Sequence, residues 1–205
     1  IEVIAKSIAI FAASLFFACV FSFSSAFILI FSFFSNSALS IATGEFCSLL
    51  DHDDLLTPDA LFEVVKSLNL NKKLDFIYSD EDKVNDLGEF SDPHFKPDWS
   101  PHSLLCRNYI CHFTTMRKEI LDKIGGFRLG LEGSQDHDLF LRFTENTNEI
   151  HHISKILYHW RIHENSTASN PESKSYTNVS GIKAVQESLE RQKIDAVAVN
   201  HTTMS

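Results

Sequence analysis

No charged residue occurs between Lys6 and Glu45, a run of 38 positions in a chain of 205. Such a run cannot lie on a solvated surface; it has to be covered by protein or by lipid. Nine of the 18 phenylalanines fall inside it, from Phe11 to Phe34. Glu2 and Lys6 cancel, so the whole net charge of −9 resides in residues 45–205. The chain thus has two regimes of composition. The apolar run exceeds the ~20 residues needed to cross a bilayer. Against that, Ser14, Ser22, Ser24, Ser25 and Ser32 interrupt it, and no Lys or Arg cluster flanks it as in a stop-transfer helix. Residues 1–34 therefore read as a transmembrane-like segment, as the product of a wrong reading frame, or as buried core strands or a signal segment.

The acidic balance of the remainder argues against nucleic acid as a partner, which needs a basic footprint. Cys19, Cys47, Cys106 and Cys111 contain no C-x-x-C pair, so they read as reduced packing residues and suggest no zinc site. Glu45–Asp51 is a short apolar run ending in acids, the pattern of a buried strand. Thr57-Pro58-Asp59 supplies a helix start, and Leu61, Val64, Val65 and Leu68 follow at helical spacing to about Leu70. Asp75–Ser79 is a second strand closing on Asp80-Glu81-Asp82, which makes a βαβ unit and suggests a parallel sheet. Residues 85–101, with Pro93, Pro97 and Pro101, read as loop. Tyr109–Met116 is predicted as a strand and Lys118–Ile124 as a helix broken by Gly125-Gly126. A helix from Gly133-Ser134 to about Thr144 follows, then a strand over Ile156–Ile162, polar loop over Asn165–Tyr176, a helix over Val179–Gln192 and a last strand over Ile194–Val199. Residues 200–205 are a tail.

Three groups carry chemistry. Asp51-His52-Asp53-Asp54 sits where a buried strand ends, the place where open α/β sheets bind ligands. Asp51 and Asp53 point the same way in extended backbone, and paired carboxylates hold a hard divalent cation. The plainer alternative is a solvated acidic turn. Asp136 and Asp138 lie two apart at a helix start and face nearly opposite ways. Asp138 is four before Arg142, an ion-pair spacing, which leaves Asp136 as the candidate general base. Finally, Tyr158-His159-Trp160-Arg161-Ile162-His163 alternates. His159, Arg161 and His163 share a face suited to an anion, with Arg161 able to grip phosphate and His163 to bind a metal.

From Asn36 to about Ala168 the chain resembles the family 2 glycosyltransferases of the GT-A fold, of the kind that build bacterial O-antigen and other cell-surface polysaccharides. The likeness is carried by Ser35-Asn36-Ser37, Ala42-Thr43-Gly44-Glu45-Phe46, Leu50-Asp51-His52-Asp53-Asp54 and Tyr78-Ser79-Asp80-Glu81-Asp82. It continues through Lys96-Pro97-Asp98-Trp99-Ser100-Pro101, Gly125-Gly126-Phe127, Gly133-Ser134-Gln135-Asp136-His137-Asp138 and Leu157-Tyr158-His159-Trp160-Arg161. The fold this implies is an incomplete GT-A, Rossmann-like mixed sheet flanked by helices over residues 35–199. The implied reaction is inverting transfer of a sugar from a nucleotide-diphosphate sugar, of uridine or deoxythymidine, to a saccharide or lipid-linked acceptor. By the resemblance, Asp51, Asp53, Asp54 and His163 hold Mn2+ or Mg2+, with Asp53 foremost. Asp136 is the catalytic base, and Arg161 and His159 bind the donor diphosphate. Gly125, Gly126, Asp80 and Trp99 meet the acceptor. The implied location is the cytoplasmic face of the membrane, peripheral, or anchored if residues 7–34 are genuine.

The resemblance breaks off upstream. The family's opening strand, its Pro-Thr-Tyr-Asn-like turn and its Val-Asp-Asp-Gly-Ser-like segment hold the base and ribose, and residues 1–34 show none of them. The expectation is a chain lacking part of its donor site. Two other readings stay open: a non-catalytic, membrane-tethered nucleotide- or carbohydrate-binding remnant, and a metal-dependent phosphoesterase.

Overall fold

The computed structural model describes residues 8–13, 32, 35–51, 53–162 and 173–200. Of the expected features, His52, His163, most of residues 1–34, most of the loop at 165–176 and the tail from 201 onward lie outside the described residues.

Among the described residues, seven strands form one mixed sheet: β1 (Ile8–Ala13), β2 (Phe46–Asp51), β3 (Leu55–Leu56), β4 (Phe76–Val84), β5 (Phe90–His94), β6 (Thr114–Arg117) and β7 (Ile150–Arg161). The order is β1-β2-β6-β4-β7-β3, with β5 on β4. β1 runs parallel to β2, and β7 parallel to β4; β6 is antiparallel to both β2 and β4. β2, β4 and β7 therefore point the same way and end on the same side. The expected βαβ unit exists, but β6 is inserted between its two strands, so the sheet is mixed rather than parallel.

Around the sheet lie α1 (residues 35–41), α2 (Ala60–Leu70), α3 (Pro101–Cys106), α4 (Lys118–Ile124), α5 (Gln135–Thr144) and α6 (Ser173–Arg191). The alternation of β4 sorts them into two layers. Phe76 and Tyr78 face a core built with Leu104, Leu121, Leu139, Phe140, Phe143 and Ala184, so α3, α4, α5 and α6 cover that side. Ile77 faces the other core, with Ala60 and Val64 of α2 and Leu157 and Tyr158 of β7. The predicted α2, α4 and α5 match the observed spans within a few residues. α3 begins at Pro101, where the expected loop ends: Pro101 takes its first turn and the Ser100 hydroxyl accepts from Ser103 N–H.

Two strands are longer than their sequence patterns suggest. β4 continues through Asp80-Glu81-Asp82, all three buried, instead of ending before them. β7 starts at Ile150 and includes His151 and His152. A hairpin strand, β5, occupies part of the expected loop. The expected last strand over Ile194–Val199 does not form. Lys193 at φ 58° turns the chain back, and Ala198 N–H donates to Gln186 Oε1 on α6 rather than to a strand.

The glycine pair ends α4. Gly125 (φ 79°) donates its N–H to Asp122 O and Gly126 to Leu121 O, closing the helix as a left-handed cap. Gly126 also packs on Asn36, whose Nδ2 donates to Phe127 O (2.7 Å) and whose Oδ1 accepts from Phe127 N–H (2.8 Å). A Cβ at Gly126 would sit 2.4 Å from Asn36 Oδ1, whereas one at Gly125 meets nothing. Gly126→Ala is expected to destabilise by about 2–3 kcal/mol, and Gly125→Ala by about 1 kcal/mol. Urea melts of the two variants check the order; equal losses would contradict the Asn36 contact.

Candidate active site

The site forms at the ends of β2, β4 and β7. Asp51 is the last residue of β2, and the chain then turns, with Asp54 N–H donating to Asp51 O (3.3 Å). This turn breaks the alternation that would have put Asp51 and Asp53 on one side. Asp54 comes back beside Asp51. Asp54 Oδ1 accepts from Arg161 N–H (2.7 Å), and its Oδ2 accepts from the Tyr158 hydroxyl. Asp53 turns its carbonyl to Arg161 Nε (2.7 Å).

His112, which the sequence did not single out, completes the group. Its Nε2 lies 3.7 Å from Asp51 Oδ2 and its ring stacks on Tyr158 at 4.9 Å. Asp51, Asp54 and His112 each offer a ligand atom, all within 4.8 Å of one another. Two carboxylates and an imidazole make a donor set able to hold a divalent cation. Burial raises the pKa of Asp51, and the charges of Asp54, Asp136 and Asp53 add to it against His112. The Asp51 side chain still keeps 48% of its surface open, so it remains accessible. Burial likewise raises Asp54, partly opposed by its bonds from Arg161 and Tyr158. For His112, burial works downward, but the contact with Glu81 and the charges of Glu81, Asp51 and Asp136 win and raise its pKa.

His112 is placed by a buried ion pair. Lys96 Nζ donates to Glu81 Oε2 (2.9 Å) and to the carbonyls of Ile110 and His112, using every proton of the ammonium. Glu81 Oε2 also accepts His112 N–H (3.0 Å). Burial would raise Glu81, yet His112 and Lys96 bring its pKa down to about 2.

Asp136 lies in the first turn of α5, and its charge acts on Asp51 and His112. Its Oδ2 accepts from Asn108 Nδ2 (2.7 Å). Asp138 faces the opposite way, as its spacing requires. It is fully buried and accepts from Arg142 Nε (2.8 Å) and from Arg128.

Other expected site residues are differently employed. Asp80 is buried, and its Oδ1 accepts from Lys96 N–H (2.8 Å) and meets His152 Nε2 at 2.9 Å. Its side chain is 4% exposed, so it is turned into the protein. Trp99 is half-buried against the main core. Gly125 and Gly126 are accounted for by the α4 cap and by Asn36. His159 pairs through Nδ1 with Asp82 and lies against Phe90. The Tyr158–Trp160 face of β7 meets the Asp54–His112 group, with the Tyr158 hydroxyl on Asp54 and both rings against His112. Arg161 reaches the acids too, at the strand's end. Among the described residues only Nε of its guanidinium is engaged.

A mixed sheet whose parallel strands end in an acid cluster, with helices on both faces, defines a GT-A-type α/β domain. S. aureus TarS 1-349, in complex with UDP-GlcNAc, superposes with a TM-score of 0.55 at 18% identity, over 80% of this chain and 53% of that one. No family model matches the chain. Among curated proteins, the uncharacterized protein y4gI of Sinorhizobium fredii is 45% identical over 159 residues, which are 77% of this chain and 18% of that protein. The O-antigen biosynthesis protein RfbC of Myxococcus xanthus is 39% identical over 158 residues, 77% of this chain and 12% of its own length. Chondroitin synthase of Pasteurella multocida is 28% identical over 162 residues, 78% and 16% respectively. The chain thus spans less than a fifth of the length of these relatives. In sequence it is similar to these polysaccharide-synthesis proteins, and in fold to a glycosyltransferase-type domain. Among the described residues, no helix is long and apolar enough to cross a membrane.

Proposed function

We propose that residues 35–199 form the catalytic part of an inverting, metal-dependent glycosyltransferase of cell-surface polysaccharide synthesis. It would move a sugar from a nucleoside diphosphate to a saccharide or lipid-linked acceptor at the cytoplasmic face of the membrane. The observation that carries this reading is the convergence of Asp51, Asp54 and His112, with Asp136 in the first turn of α5 bonded to Asn108, four residues before His112. One carboxylate for the acceptor and a separate metal-type donor set for the leaving group are what sugar transfer requires.

Asp136 takes the proton from the acceptor hydroxyl as that oxygen attacks the anomeric carbon, and the glycosidic bond to the diphosphate breaks on the opposite face. Arg161 offers its Nη groups to the departing phosphate. Asp51, Asp54 and His112 would hold Mn2+ or Mg2+, which supplies positive charge to the leaving diphosphate. The donor class is uridine diphosphate sugar, in keeping with the UDP-GlcNAc held by TarS on the same fold.

The test is transfer from UDP-sugars to oligosaccharide acceptors in the presence of Mn2+. Phosphate release from simple esters without any sugar transfer would overturn the reading in favour of a phosphoesterase. The metal assignment has its own test. Asp51→Asn is expected to weaken Mn2+ binding at least about 10-fold, and Asp53→Asn to weaken it less. Unchanged affinity in the Asp51 variant by calorimetry would sink the assignment.

A further inference from the structure

The Asp136 carboxylate is gripped at both oxygens. Oδ1 accepts from His137 N–H (2.8 Å), and Oδ2 accepts from Asn108 Nδ2 (2.7 Å), a partner 28 residues upstream. The Asn108 amide is itself fixed at its other end, where Oδ1 accepts from Cys111 N–H (3.2 Å). Only this amide orientation gives the N–H an acceptor and the carboxylate a donor. The Cys111 thiol adds a contact to Asn108 O (3.2 Å). The segment bearing Asn108 is anchored two residues later, where Lys96 holds the Ile110 and His112 carbonyls. A donor on a tied segment is therefore aimed at one oxygen of a half-buried carboxylate. Each oxygen keeps a further lone-pair direction for an incoming hydroxyl.

We propose that Asn108 is a positioning residue that orients Asp136 for proton abstraction. The proposal rests on Asp136 being the general base. A base must lie within hydrogen-bond reach of the proton it takes, and a carboxylate free to swing meets that condition only part of the time. The titratable groups that face Asp136 are Asp51 from β2 and Cys111 and His112 from the segment before β6, with His137 next to it on α5.

Two substitutions separate orientation from a purely structural role. Asn108→Asp keeps an acceptor for Cys111 N–H but replaces the amide donor with a like charge. Asn108→Ser keeps a short acceptor for the turn and no longer reaches Asp136. Both are expected to lower kcat about 10- to 100-fold with the KM for donor unchanged. Both are expected to move the acid limb of the kcat–pH profile upward, Asn108→Asp further than Asn108→Ser, because both remove a donor to the carboxylate and only the first adds a like charge. Carbon-detected NMR of the Asp136 carboxyl, which needs no turnover, should show the same upward shift in Asn108→Asp. An unmoved carboxyl titration overturns the proposal. So does a moved titration with unchanged kcat, since Asn108 would then touch Asp136 without serving the reaction. Absence of transfer by the unmodified protein overturns the glycosyltransferase reading instead, and the carboxyl titration still decides whether Asn108 holds Asp136. If Asn108→Asp does not fold, Asn108→Ser decides by its kcat and by whether its Asp136 titration departs from that of the unmodified protein.

Discussion

Asp136→Asn is expected to slow sugar transfer by about 10²–10⁴-fold, the span of a lost general base, with Mn2+ and donor binding retained. The separation of roles follows from placement. Asp136 sits on α5, outside the group of Asp51, Asp54 and His112 whose ligand atoms converge. The substitution is nearly isosteric, so the helix start and the Asp138 ion pairs on its far side remain. What changes is that an amide cannot take a proton. Single-turnover assays with labelled donor, run beside Mn2+ and nucleotide titrations, would read both halves of the prediction. Loss of binding in step with loss of transfer would show that Asp136 serves the donor side, and the assignment as base would fail.

The acids of this site show which parts of such a chain its sequence discloses. Asp136 and Asp138 were legible because helix geometry is local: two residues apart means opposite faces, and four apart means Asp138 reaches Arg142. The helices α2, α4 and α5 were legible for the same reason, through caps and periodicity. Asp51 and Asp53 misled because extended geometry was assumed one residue too far. The strand ends at Asp51, and the turn brings Asp54 round beside it. Asp80-Glu81-Asp82 misled more deeply. A run of acids normally ends a buried strand, since an unpaired charge in the interior is costly. Here each acid has a partner supplied from elsewhere: His152 for Asp80, Lys96 for Glu81 and His159 for Asp82. Nothing in the local pattern announces partners that lie 15 to 77 residues away. His112 was invisible on the same ground. It stands in an apolar stretch with no motif, and acquires its place only when Lys96 and Glu81 fix the backbone around it.

Arg142→Met is expected to cost about 3–5 kcal/mol of stability at neutral pH, the usual loss when one partner of a buried ion pair is removed. Asp138 is 0% exposed and Arg142 6%, so water cannot take over the lost contact. The arginine also serves the α4 cap, donating to Ile124 O (2.9 Å) and Gly126 O (2.6 Å). Its removal therefore loosens both the turn after α4 and the helix that carries Asp136. Burial alone would raise the pKa of Asp138, but the hydrogen bonds and charges of Arg128 and Arg142 outweigh it and hold the carboxyl below its ordinary value. A carboxyl with a lowered folded pKa stabilises the fold above its unfolded value, near 4. That contribution is lost as the pH falls through the lower folded value. The gap between wild type and Arg142→Met should accordingly be full at pH 7 and narrow below about pH 4. Removing the charge as well, in Asp138→Leu/Arg142→Met, should recover part of the loss, because a fully buried carboxylate is then not left with the partly exposed Arg128 as its one remaining arginine. Urea melts at pH 7 and at low pH measure both effects. A gap that stays constant with pH, or a double variant no more stable than Arg142→Met, would show that the buried charge is not what makes the single substitution costly.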